Sequence, residues 1–158
     1  MCLTAIVATA GWGAIQAYIA SRISHAVEDR FWHLTEKQQN DLGRELEKVP
    51  ADQRFTVTIH IVQGNAQALT LAEDLTSTFT RHGWIANRLQ DFNLRADLIG
   101  IIFVFALDFP RTDKDLPPHA SELAHMFDNA EIKYTGGWQQ GFADNSLLLA
   151  IGSRPPNW

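Results

Sequence analysis

Near Pro50 the spacing of the apolar residues changes from about one helical turn to every second residue. Upstream, Ile15, Ile19, Ile23, Val27, Phe31 and Leu34 lie three or four apart, and Leu42, Leu46 and Val49 carry a similar stripe onward. Downstream, Phe55, Val57, Ile59 and Ile61 alternate with Thr56, Thr58 and His60. A helical lead therefore gives way to a strand with one strongly apolar face. Pro50-Ala51-Asp52-Gln53 is the expected boundary, because the residue before a proline is pushed out of the helical region. Within the lead, Thr35 and Gln38 have capping-box spacing and predict a helix from Glu36.

Beyond the boundary the elements follow in a regular order. Gly64-Asn65 breaks the first strand, with Asn65 as the expected N-cap. Ala68, Ala72, Leu75 and Phe79 then form a helical stripe closed by Arg81-His82-Gly83. Trp84 to Leu89 reads as a second strand, and Leu98 to Leu107 as a strand apolar on both faces. Pro117-Pro118 opens a helix whose buried stripe is Ala120, Leu123, Phe127 and Ala130. Ile132 to Thr135 gives a short strand before Gly136-Gly137, and Leu147 to Ile151 an internal one. The fold class is therefore α/β, in the order β-α-β-β-α-β-β over residues 54–158. Two crossover units imply a small mixed or mostly parallel sheet of four to five strands with covering helices.

The start of the chain constrains the setting. Met1 to Ser21 contains no Asp, Glu, Lys, Arg or His, and about 20 apolar residues suffice to cross a bilayer core as a helix. Residues 1–21 thus predict a transmembrane anchor and residues 22–53 a helical stalk or linker. Gly13, Ala17 and Ser21 lie four apart, a pattern that allows close helix pairing and hence a homo-oligomer in lipid. Arg22 and Arg30 follow the span and favour a cytoplasmic side for the remainder.

Composition narrows the partners. The net charge of −5, with the cations scattered among carboxylates, disfavours a nucleic-acid partner. The single cysteine, Cys2, excludes an intrachain disulfide. Neither the dinucleotide fingerprint nor the P-loop is present, nor are H-E-x-x-H and G-x-S-x-G. The six histidines include no pair at helical ligand spacing. The expectation is no metal, no cofactor and no catalytic residues.

Two loops remain as binding candidates. The turn with Gly64 and Asn65 opens a helix, where free N–H groups and the helix dipole suit an anion. The loop after the Leu98–Leu107 strand carries Asp108 and Arg111. If the first strand and this one were parallel neighbours, both loops would share the carboxyl edge where ligands gather in open α/β sheets.

Several short stretches carry a resemblance. They are Val62-Gln63-Gly64-Asn65-Ala66, His82-Gly83-Trp84, Gly136-Gly137 and the end Ile151-Gly152-Ser153-Arg154-Pro155. Residues 34–158 resemble the C-terminal α/β domain of uncharacterised bacterial inner-membrane-anchored proteins, whose usual ending is Gly-Pro-Lys-Pro-like rather than Gly-Ser-Arg-Pro. The resemblance implies a membrane tether and an α/β fold, and no activity. The expected function is a membrane-tethered, non-enzymatic domain binding a protein partner or small ligand at its strand-end loops. The alternative is a regulatory domain binding a nucleotide or phosphate.

Overall fold

The computed structural model describes residues 31–91, 97–106, 118–139 and 148–156. The chain divides into two units, Met1–Trp32 and His33–Trp158, and the second carries all the elements that follow. They are α1 (Glu36–Glu47), a 3₁₀ turn (Ala51–Gln53), β1 (Val57–Val62), α2 (Ala66–Arg81), β2 (Ala86–Asp91) and β3 (Ile101–Ala106). After these come α3 (Pro118–Asn129), β4 (Thr135–Gln139) and β5 (Leu148–Ile151).

The five strands form one mixed sheet in the order β2-β1-β5-β3-β4. β2 and β5 both run parallel to β1, β4 runs parallel to β3, and β3 meets β5 antiparallel. Two β-α-β units thus point in opposite directions, and β5 joins them. β5 is the central strand and all four of its residues are buried, as an apolar run without polar alternation requires. The Leu98–Leu107 segment, apolar on both faces, supplies the next strand out, which is also internal. Its second face still has company, because Val104 lies against Leu148 and Ala150, with Leu98 and Ile102 packed on that cluster.

On the other face Ile59, Leu149 and Phe103 stand in register, as do Ile61, Ile151 and Ile101. Helices cover this row. Phe103 meets Phe127 of α3 edge-on at 5.2 Å and stacks on Tyr134 at 4.4 Å. The stripe residues Ala68, Ala72, Leu75 and Phe79 of α2 and Ala120, Leu123, Phe127 and Ala130 of α3 are fully buried. α1 packs against both of these helices.

α1 therefore belongs to the helical layer of the domain, where the sequence suggests a stalk over residues 22–53. Its boundary lies before His33, because Leu42 and Leu46 are fully buried and Trp84 Nε1 donates to Leu46 O at 3.1 Å. The start of α1 follows expectation: Thr35 Oγ1 accepts from Gln38 N–H at 3.2 Å, and the Gln38 side chain returns to Thr35 N–H at 3.0 Å.

Both crossover helices end in the same six-residue motif. In α2, Gly83 N–H donates to Thr80 O and Trp84 N–H to Phe79 O; in α3, Glu131 N–H donates to Asp128 O and Ile132 N–H to Phe127 O. These are Schellman closures, each with its fifth residue at positive φ. They explain two shifted strands. Trp84 and Ile132 are committed to the helix ends, so β2 begins at Ala86 and β4 at Thr135. Gly136 and Gly137 consequently lie inside β4 and not in the turn after a strand. A side chain at Gly137 would touch Ile102 Cγ2 at 3.0 Å.

No helix among the described residues is long and apolar enough to cross a membrane. The expected anchor, residues 1–21 with Gly13, Ala17 and Ser21, lies outside the described residues.

Candidate functional site

β1 and β5 are parallel neighbours whose chains part at their carboxyl ends. After β1 the chain turns at Gln63-Gly64 into α2 and on to β2. After β5 it bends the other way, toward the start of β3: Gly152 N–H donates to Gly100 O at 3.0 Å and Ser153 N–H to Leu98 O at 2.8 Å. Such a parting is the place where open α/β sheets form a crevice.

The crevice floor is built by local chemistry. Asn65 N–H donates to Val62 O at 3.2 Å, closing a four-residue turn. Gly64 takes φ +76° at its third position, where a β-carbon is disfavoured. Asn65 is the N-cap of α2, its Oδ1 accepting from Ala68 N–H at 3.0 Å. Its Nδ2 donates to Ser153 Oγ at 2.9 Å. One side chain thus caps the helix after β1 and ties it to the segment after β5.

Around this bond lie two open clefts. One of about 340 Å³ is lined by Val62, Gln63, Gly64, Asn65, Ala66 and Gln67. The other, about 220 Å³, adds Ile61, Leu69 and Gln90 from the end of β2. Every lining side chain is uncharged, and the first turn of α2 holds no acidic residue to neutralise the positive end of its dipole. The arrangement offers amide and hydroxyl hydrogen bonds beside apolar walls. Among the described residues that line it there is no proton-transfer pair and no nucleophile–base pair.

Gly64 and Asn65 therefore stand at a strand-end crevice, as the sequence suggests. The pairing imagined for the second loop rests on a premise that does not hold, since β3 is separated from β1 by β5 and runs the opposite way. The chain leaves β3 at the end of the sheet where β1 begins. Asp108 and Arg111 themselves lie outside the described residues. Ser153, across the crevice, escaped sequence reasoning; its only signal was a polar residue two places after a short apolar strand.

A wider cleft of about 530 Å³ runs between the end of α1 and α3, lined in part by Glu45, Lys48, Ser121, Glu122 and His125. Its best-defined charges neutralise each other. Lys48 Nζ meets Glu45 Oε1 at 2.6 Å, Asn129 Nδ2 donates to the other oxygen, and together they hold the Glu45 carboxyl below the ordinary range. The cleft reads as a helix–helix seam. Among the described residues no group of three His, Cys, Asp or Glu could hold a metal ion.

Comparison with known families, curated proteins and solved structures finds no match to this chain.

Proposed function

We propose that this protein is a membrane-tethered, non-enzymatic binding domain, and that it engages a protein partner or small ligand at the loops where β1 and β5 part. The observation that carries the reading is the Asn65 Nδ2–Ser153 Oγ bond, which spans the parting beside a helix start whose first turn holds no acidic residue. The uncharged run from Met1 to Ser21 supports the tether, as does the resemblance to inner-membrane-anchored proteins.

A photo-reactive side chain at exposed Gln63 tests the site, with exposed Asn40 on α1 as the control position. A discrete adduct at Gln63 alone supports the reading, and equal labelling at both positions rejects it. The second reading, a nucleotide or phosphate ligand, rests on the same helix start and has its own discriminator. Gln67→Glu puts a carboxylate in the first turn of α2, which favours the helix by up to about 1 kcal/mol yet repels an anion. Thermal stabilisation by nucleotides or phosphate, lost in Gln67→Glu, would promote that reading. For the tether, the full chain should sediment with membranes and a chain beginning at His33 should not; equal solubility would remove it.

A further inference from the structure

β2 is an edge strand, paired with β1 in unbroken register over six residues, and among the described residues nothing pairs with its other side. Native edges are normally blunted by charged side chains, proline, a bulge or covering structure, and the charge at mid-strand here, Arg88, is held by Glu73 of α2. Ala86-Asn87-Arg88-Leu89-Gln90-Asp91 has no proline, and residues 87–90 are all exposed. Two large apolar side chains stand out there: Ile85 is 64% and Leu89 51% exposed. Leu89 is in register with His60, on the face away from the helices, and Ile85, four residues earlier, falls on the same face.

We propose that β2 is a self-association edge, pairing antiparallel with β2 of a second copy about a two-fold axis through Asn87. Three features of the strand select this partner and this register. First, Asn87 lies midway between Ile85 and Leu89, so a two-fold there sets each Ile85 opposite the other copy's Leu89. Four exposed apolar side chains are buried at once, on one continuous face.

Second, the peptide groups agree. Val57 N–H donates to Ile85 O at 2.9 Å, so in this parallel ladder the odd residues of β2 turn their N–H and C=O groups toward β1. The even residues, 86, 88 and 90, turn theirs outward. In the proposed register Ala86 faces Arg88 of the other copy, both outward-turned, which makes a hydrogen-bonded pair. Asn87 with Asn87 and Ile85 with Leu89 become non-hydrogen-bonded pairs, whose side chains approach most closely.

Third, the charges fit. Arg88 faces a small neutral residue, and its guanidinium already holds Glu73 Oε1 at 2.9 Å, so the two arginines do not meet as bare cations. The joined molecule is a ten-stranded sheet. One strand pair buries less than the roughly 1,600 Å² of a standard stable interface, so the association should be reversible and concentration-dependent.

The test uses the full chain with Cys2→Ser and Asn87→Cys, under mild oxidation at high protein concentration. Opposed positions of a non-hydrogen-bonded pair fall within the Cα separation a disulfide accepts, so a covalent dimer should form readily. Gln90→Cys on the same background should not cross-link, because the two copies of residue 90 lie six positions apart along the ladder, about 20 Å. Adding Leu89→Lys to the Asn87→Cys chain should slow dimer formation at least tenfold. Leu89 is half exposed, so the fold survives, and an unchanged circular dichroism spectrum checks this. The proposal is overturned if Asn87→Cys cross-links no better than Gln90→Cys, or if Leu89→Lys leaves the rate unchanged.

Discussion

Gly83 and Glu131 hold the same place in the two helix endings, yet they differ in how replaceable they are. Both have positive φ, 76° and 56°. At Gly83 a β-carbon would lie 2.6 Å from Arg54 Nη1, which donates to Gly83 O while Arg54 Nε donates to Val49 O. Gly83→Ala should therefore cost roughly 2 kcal/mol, from left-handed strain and a disturbed hydrogen bond, read from denaturant unfolding. Glu131 carries the same left-handed strain, but its exposed side chain meets no such obstruction and pairs with Lys37 at 2.9 Å. Among the described glycines the harshest substitution is predicted at Gly152, where a β-carbon would overlap the Leu98 carbonyl oxygen. That oxygen accepts from Ser153 N–H and cannot withdraw without breaking the β5–β3 junction. Gly152→Ala should lower stability by about 3 kcal/mol or more in the same measurement.

At the scale of elements, the short-range signals were legible. Thr35 with Gln38, Asn65 before Ala68, and Gly83 after Arg81 each specify a helix end through one or two hydrogen bonds within six residues. The strand starts were not, because Trp84 and Ile132 look like strand residues and are claimed by the preceding helix end. Half of the candidate site, Gly64 and Asn65, could be read from turn chemistry. Ser153 could not, because its partnership depends on which strands are neighbours.

Asn65 itself can be apportioned. Ser153→Ala should cost about 0.5–1.5 kcal/mol, and Asn65→Ala more, since it also loses the cap, worth about 1 kcal/mol. A double-mutant cycle isolates the bond between them.

The elements also titrate in opposite directions. On α1, hydrogen bonds from Arg44 and then Lys37 hold the Asp41 carboxyl below its ordinary value, and Lys48 does the same for Glu45. A depressed folded pKa means that this stabilisation is complete above the ordinary carboxylate range and disappears as pH falls through the lowered values. The cations are exposed and the carboxylates only part-buried, so the effect is modest and added salt should shrink it. Asp41→Asn with Glu45→Gln should flatten the acid limb of stability. Tyr134 behaves oppositely. Burial, then the nearby Asp128 charge, raises its hydroxyl, so its contribution holds below the ordinary tyrosine value and is lost as pH climbs through the raised one. Tyr134→Phe, which keeps the ring on Phe103, should flatten the alkaline limb.

For the whole molecule, the sequence yielded the α/β class and the order of elements but not the strand arrangement. Leu148–Ile151 is four apolar residues without alternation, so nothing local reveals its direction or its neighbours. The switch in rhythm at Pro50 marks an element boundary inside a packed unit that begins at His33. A chain beginning at His33 should unfold cooperatively. One beginning at Arg54 should not, since it loses buried Leu42, Leu46 and Val49, each worth about 1.5–3 kcal/mol. That sum rivals the whole stability of an ordinary domain.

The position of β5 also sets a timetable for folding on the ribosome. The two β-α-β units are made first, but each exposes one flank of β1 or β3 until residues 148–151 leave the exit tunnel and slot between them. A nascent chain stalled before Leu148 should be degraded readily by added protease, and release of a few further residues should bring abrupt resistance.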